Sequence, residues 1–165
     1  MSIAAFIKEF EQEAATTRRV LERVPSEKFD WAPHAKSMSL GKLAMHTATA
    51  PGTISDWATR DGYAFTGEDP TPAPKTTADL LAAHDAGVAA TKANLNKVGD
   101  AGLGAPWTAT AGGKTLMTMP KAALVRGLVL NHWIHHRGQL SVYLRLLDVP
   151  VPSIYGPSAD ENPFG

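Results

Sequence analysis

The chain has 165 residues, enough for one domain with a sizeable core, and 44% of them are apolar, an ordinary share for a globular protein. Sixteen Lys and Arg balance sixteen Asp and Glu with no dense basic run, so the electrostatic footprint that accompanies nucleic-acid binding is missing. Cysteine is absent, which excludes disulfides and thiolate ligands and restricts any bound metal to nitrogen and oxygen donors.

Four amphipathic segments follow one another along the chain. Ser2 is placed to cap a first helix reaching about Val24, with Ile3, Phe6, Ile7, Phe10, Ala14 and Leu21 on one side and Pro25 as its stop. Lys8 and Glu9 interrupt the place where a signal peptide would need its apolar core, and no run of 18 apolar residues occurs; a cytoplasmic protein without membrane association is expected. Residues 26–37 hold Phe29, Trp31, Pro33 and His34 and read as a packed loop, because aromatic side chains seek burial. Ser39 is the expected N-cap of a second helix running to about Arg60, with Leu43, His46, Ala50, Ile54 and Trp57 facing inward. Pro51 and Gly52 predict a kink one turn beyond His46, read as a packing irregularity rather than a pocket opening.

Residues 61–75 are rich in Gly, Pro, Thr and Asp and read as a surface connection. Thr76 or Thr77 starts a third helix with Leu80, Leu81, His84, Val88, Thr91 and Leu95 in register, broken over residues 96–104. Alternating residues from Trp107 to Met117 around Gly112-Gly113 suit a short hairpin. Pro120 is the expected first residue of a last long helix, which Pro150 and Pro152 terminate. The pattern predicts an all-α fold, an antiparallel four-helix bundle over residues 1–165 as a single domain, with a short hairpin between helices 3 and 4.

The last helix carries the chemistry. Val125, Val129, His132, His136, Gln139, Tyr143 and Leu146 fall three or four apart and are expected to share an inward face. Side chains four apart on a helix have Cβ atoms roughly 5–6 Å from one another, so His132 and His136 can aim at one ion. A third ligand decides between a metal pair and two hydrogen-bonded core histidines. His46 and His84 both lie on inward stripes and compete for that place, whereas His34 sits in a loop and His135 points to another side of its helix.

Two stretches, Ser39-Leu40-Gly41-Lys42-Leu43-Ala44-Met45-His46 in the second helix and Asn131-His132-Trp133-Ile134-His135-His136-Arg137-Gly138-Gln139-Leu140 in the last, closely resemble the DinB/YfiT-like superfamily. The segment from Tyr143 to Pro152 is similar to that family's end of helix four, and the likeness spans nearly the whole chain. The resemblance implies one divalent metal held by His46, His132 and His136, usually in a homodimer. It also implies a metal-dependent enzyme, since characterised relatives include thiol-dependent S-transferases and maleylpyruvate isomerases that use mycothiol, bacillithiol or glutathione. The family name refers to DNA-damage induction and implies no DNA binding.

Three neutral imidazoles would leave such an ion its full charge and an open position, which suits catalysis better than structure. Zn is the first expectation and Ni the second. Asn131 and Gln139 are candidates for orienting the imidazoles or a ligand. Tyr143 is either a packed core tyrosine or a donor into the pocket. Arg137 and Arg145 are either solvated charges or partners for a carboxylate of the small-molecule substrate. The preferred function is a thiol-dependent S-transferase or isomerase. The alternatives are a hydrolase using metal-activated water, helped by Asp56 or by Asp160 and Glu161 folding over the mouth, and a non-catalytic metal- or ligand-binding bundle in stress response.

Overall fold

The computed structural model describes residues 2–67 and 71–164, so the middle of the predicted 61–75 connection, residues 68–70, lies outside the described residues. Helix α1 spans Ile3–Leu21, α2 spans Leu40–Ala58 and α3 spans Thr77–Gly102. The fourth long helix is built in three stretches: α4, Lys121–Leu124; a π-helical segment, Val125–Asn131; and α5, His132–Leu146. Three strands complete the fold: β1, Gly62–Phe65; β2, Pro106–Ala111; and β3, Lys114–Pro120.

Local chemistry sets most of these boundaries. The Ser2 and Ser39 side chains accept the backbone N–H of Ala5 and Lys42, each supplying a partner to an N–H that the helix itself cannot pair. At Thr76 the exchange is reciprocal: its hydroxyl accepts Asp79 N–H while the Asp79 carboxylate accepts Thr76 N–H. The loop before α2 is packed, as its aromatics predict. Phe29 and Trp31 lie against the core, and their carbonyls accept the N–H groups of Gly41 and Leu40. The expected break over 96–104 is narrower than its sequence suggests. Residues 96–98 stay helical and the chain turns out of helical geometry at Gly99, where φ is 63°.

Two expectations of the all-α reading are corrected. The fold is mostly helical but contains a three-stranded sheet of order β1-β2-β3. The β2–β3 hairpin turns at Gly112 and Gly113, both with positive φ. Strand β1 was hidden in the surface connection and pairs parallel with β2, from Gly62 opposite Thr108 to Phe65 opposite Ala111. Pro120 closes β3 and caps α4 instead of standing first inside it.

Helix α2 packs against α3, α5 and the π segment, while α1 packs against α3 and α5. Small residues let α2 and α3 approach closely: a Cβ on Gly87 would meet the Ala48 carbonyl oxygen at 2.9 Å, and one on Gly52 would meet Gly87 Cα at 3.1 Å. The core falls into two clusters. One gathers Phe6, Phe10, Ile54, Trp107, Leu124, Val129 and Trp133. The other gathers Leu21, Leu40, Leu43, Leu80, Leu140 and Leu144. Along α5, His136 falls between Trp133 of the first cluster and Leu140 of the second, and on α2 His46 lies beside Met45 of the second, four residues before Ala50 of the first.

Pro51 does not interrupt α2, which continues to Ala58. A proline has no N–H to give the carbonyl four residues earlier, here that of Thr47. That carbonyl accepts the Trp133 indole N–H at 2.7 Å instead. Burying a carbonyl without a donor is costly, and this bond from another helix removes the cost.

Candidate metal centre

The π segment decides how the last helix presents its histidines. Its hydrogen bonds reach one residue further than those of an α-helix, so each turn consumes more chain. A stripe projected at α-helical spacing from Val125 and Val129 therefore falls one position behind the true core face. Downstream, Trp133, Arg137, Leu140 and Leu144 face the core, where uniform spacing predicts His132, His136, Gln139 and Tyr143. Leu146, expected inward, is 57% exposed for the same reason. The shift moves the histidine pair from the centre of the core to its edge. His132 and His46 are half-buried and His136 is 9% exposed, so the ring cluster reaches solvent.

There the three rings meet. Their centroids are 5.3 Å apart for His46 and His132, 4.5 Å for His46 and His136, and 4.4 Å for His132 and His136. One nitrogen from each can be chosen so that all three lie within 4.8 Å of one another. Among the described residues this is the one cluster of three or more His, Cys, Asp or Glu with such spacing, and no carboxylate belongs to it. His84, the competing histidine of α3, is outside it. That ring is 2% exposed, stacked against Trp133, with Nδ1 3.3 Å from Asp85 Oδ1. His34 is exposed and its Nδ1 accepts the N–H of Lys36; His135 is exposed beside the His136 ring.

The three rings could hold a cation. The Gln139 carbonyl oxygen lies 2.7 Å from His136 Nδ1. A carbonyl oxygen only accepts, so Nδ1 carries the proton and Nε2 presents a lone pair. That lone pair faces His132 Nε2 at 2.9 Å. Two imidazole nitrogens this close repel unless a proton or a cation lies between them. Burial pushes the His132 pKa down to about 4, helped by the neighbouring rings of His136, His46 and His135. Burial also lowers the His136 pKa, opposed by the bond to Gln139. Both rings are thus neutral at pH 7, the form that ligates. Three imidazoles, one with its tautomer fixed by an outer partner, suit a borderline divalent ion such as Zn²⁺ or Ni²⁺.

The other candidates from the sequence are placed elsewhere. Gln139 joins the cluster through His136, while Asn131 is exposed at the end of the π segment. The Tyr143 hydroxyl donates to the Met38 carbonyl at 3.3 Å and its ring meets Trp31 edge-on, which makes it a packing residue. Arg137 is neither solvated nor free to bind a substrate. It is 1% exposed and donates to the Glu13 carbonyl, the Thr17 hydroxyl and the Tyr155 hydroxyl, with the Glu13 carboxylate 2.6 Å away. Asp160 pairs with Arg145, Glu161 with Arg19 and Asp56 with Arg60, so these carboxylates are tied into ion pairs rather than folded over the cluster. Trp133 and the π segment have no signal in the sequence beyond a buried aromatic and a glycine at position 127.

Comparisons with known proteins give the family and the fold. The model of the DinB family matches residues 1–162. The chain belongs to the DinB family. It is 30% identical over 162 residues to the uncharacterised protein YrdA of Bacillus subtilis (strain 168), covering 94% of this chain and 89% of that one. The fold is similar to the crystal structure of a DinB-like protein from Bacillus cereus ATCC 10987, with a TM-score of 0.72 at 22% identity, covering 93% of this chain and 98% of that one. It is also similar to the DinB-like protein YjoA of Bacillus subtilis, with a TM-score of 0.66 at 20% identity, covering 87% and 92%. Among the described residues, no helix of this DinB-family protein is long and apolar enough to cross a membrane.

Proposed function

We propose that this DinB-family protein is a metal-dependent enzyme that transfers or isomerises a small electrophile with the help of a low-molecular-weight thiol. The observation that carries this reading is the convergence of His46, His132 and His136 with no carboxylate among them. A divalent ion held by three neutral imidazoles keeps its full charge and supplies Lewis acidity to a thiol, a water or a substrate carbonyl. Zn is the preferred metal and Ni the next, on donor chemistry alone.

The chain's own residues have defined tasks in this reading. Gln139 holds the proton of His136 on Nδ1, so the lone pair stands on the opposite nitrogen, which faces the other rings. The half-buried rings of His46 and His132 leave one side of the cluster open to a substrate. Hydrolysis by activated water is less favoured, because a carboxylate to take the water's proton is missing from the cluster and Asp56, Asp160 and Glu161 are engaged elsewhere. A homodimer is the proposed assembly, resting on the family resemblance, and light scattering at micromolar concentration tests it.

The discriminating experiment is a screen of small electrophiles with zinc-loaded protein, with and without glutathione-like thiols. Turnover that requires thiol supports the proposal. Thiol-independent cleavage replaces it with hydrolysis. Absence of both, with metal bound, leaves a metal-binding protein without catalysis.

A further inference from the structure

Each histidine on α5 that joins the cluster is followed by a residue that anchors the helix, and the first anchor reaches across to the helix that carries the third histidine. Trp133 follows His132, and its indole N–H donates to the carbonyl of Thr47, which follows His46. The Trp133 ring stacks on Phe10 of α1 at 5.0 Å and against His84 of α3 at 6.1 Å. One side chain, 1% exposed, therefore touches all three other long helices. Because residue 51 is proline, the Thr47 carbonyl has no N–H four residues on to accept, and the Trp133 indole is the donor that meets it; any other residue there would bring an N–H that competes for it within α2.

We propose that Pro51 and Trp133 together form a register lock for the histidine cluster, in which the proline reserves the Thr47 carbonyl for the Trp133 indole N–H and so fixes α2 against α5 one residue from His46 and one from His132. The inference rests on the reading of the cluster as a metal centre, and deepens it by naming what sets the distance between ligands on different helices. His132 and His136 need no such device, since four residues of one helix fix their spacing. His46 belongs to another helix, and its approach depends on how α2 sits along α5, which apolar packing fixes less directionally than a hydrogen bond does. Groups hydrogen-bonded directly to metal ligands alter affinity by about 10–100-fold, and a bond to the backbone beside a ligand belongs at the lower end of that range. The lock is buried and directional, as such a bond must be.

The test uses Co²⁺ as the probe, because its visible absorption reports ligand number and geometry as well as occupancy. The variants are Trp133→Phe, which keeps a ring against Phe10 and His84 but removes the donor, Pro51→Ala, and the double variant. Affinity comes from chelator competition and stability from thermal unfolding of the metal-free protein. Trp133→Phe is expected to weaken Co²⁺ binding about tenfold and to change the absorption bands. In the double variant the Pro51→Ala change restores an N–H for the Thr47 carbonyl within α2, so stability is expected to recover while affinity and spectrum do not. That split separates positioning from simple destabilisation. The proposal is overturned if Trp133→Phe binds Co²⁺ with unchanged affinity and bands, or if the double variant regains stability and affinity together. Wild-type protein that binds no Co²⁺ overturns the metal reading itself, a failure recognisable before any variant is made.

Discussion

The two polar faces of α5 differ by one residue in sequence and by everything in their bonding. His132 and His136 sit on one, Trp133 and Arg137 on the other. On the first face the polar atoms turn toward one another: His136 Nε2 faces His132 Nε2, and the buried His132 Nδ1 has no hydrogen-bond partner. On the second, every contact is to a fixed group elsewhere in the fold, from the Thr47 carbonyl to the Glu13 carboxylate. Structural polar groups in a core are satisfied in place. A histidine cluster with a buried nitrogen left without a partner, at the edge of the same core, is one that could hold a cation.

The largest effect should come from breaking the anchored face. Arg137→Ala removes the partner of a Glu13 carboxylate held between α1 and the C-terminal segment and leaves the Thr17 hydroxyl without its donor. Loss of one member of a buried pair costs about 3–5 kcal/mol. Urea denaturation should show a destabilisation in that range, whereas a loss below about 1 kcal/mol, typical of exposed pairs, would mean that Arg137 behaves as a surface residue.

On the open face the expected effect is on metal rather than stability. Gln139→Leu frees the tautomer of His136 and should weaken metal binding by about 10–100-fold with little change in unfolding, because Gln139 is exposed. Unchanged metal affinity in a chelator titration would remove Gln139 from the site.

A smaller effect concerns pH. In the metal-free protein the His132 pKa is pushed down to about 4, while in the unfolded chain it returns to about 6.5. Between these values the unfolded chain binds the proton and the folded chain does not, so stability rises with pH across this window. His136, also lowered, acts in the same direction. Thermal unfolding should therefore show the midpoint falling as pH drops from about 6.5 toward 4, with a flatter dependence in His132→Ala. Proton competition with metal is then expected below the ordinary imidazole pKa rather than at it. A midpoint that does not fall over this window would contradict the burial assigned to these rings.

How much of this was readable in the chain depends on the range over which each feature is determined. The caps at Ser2, Ser39 and Thr76 are local and legible, since a side chain and an N–H three residues on decide them. The grouping of His132 with His136 is equally local, and the family resemblance brought in His46. What escaped was set by distant parts. Strand β1 has four residues and no periodicity of its own, and it exists only because residues 108–111 offer it an edge. The π segment alters the face of everything after it, so Leu146, inward at uniform spacing, is exposed. Arg137 reads as either a solvated charge or a carboxylate partner because arginine is seldom buried, and only Glu13 and Thr17 near the start of the chain, with Tyr155 near its end, make its burial tolerable. Pro51 was legible as an irregularity but its use was not, since the donor that answers it lies on another helix, at position 133.

The most direct test is metal stoichiometry at neutral pH in protein purified without an affinity tag, for the wild type and the six single His→Ala variants. About one divalent ion per chain is predicted in the wild type and in the variants of His34, His84 and His135, and a small fraction of that in the variants of His46, His132 and His136. Those last three should remain folded by circular dichroism. An empty site in His84→Ala together with full occupancy in His46→Ala would contradict the assignment, and would place the third ligand on α3 rather than α2.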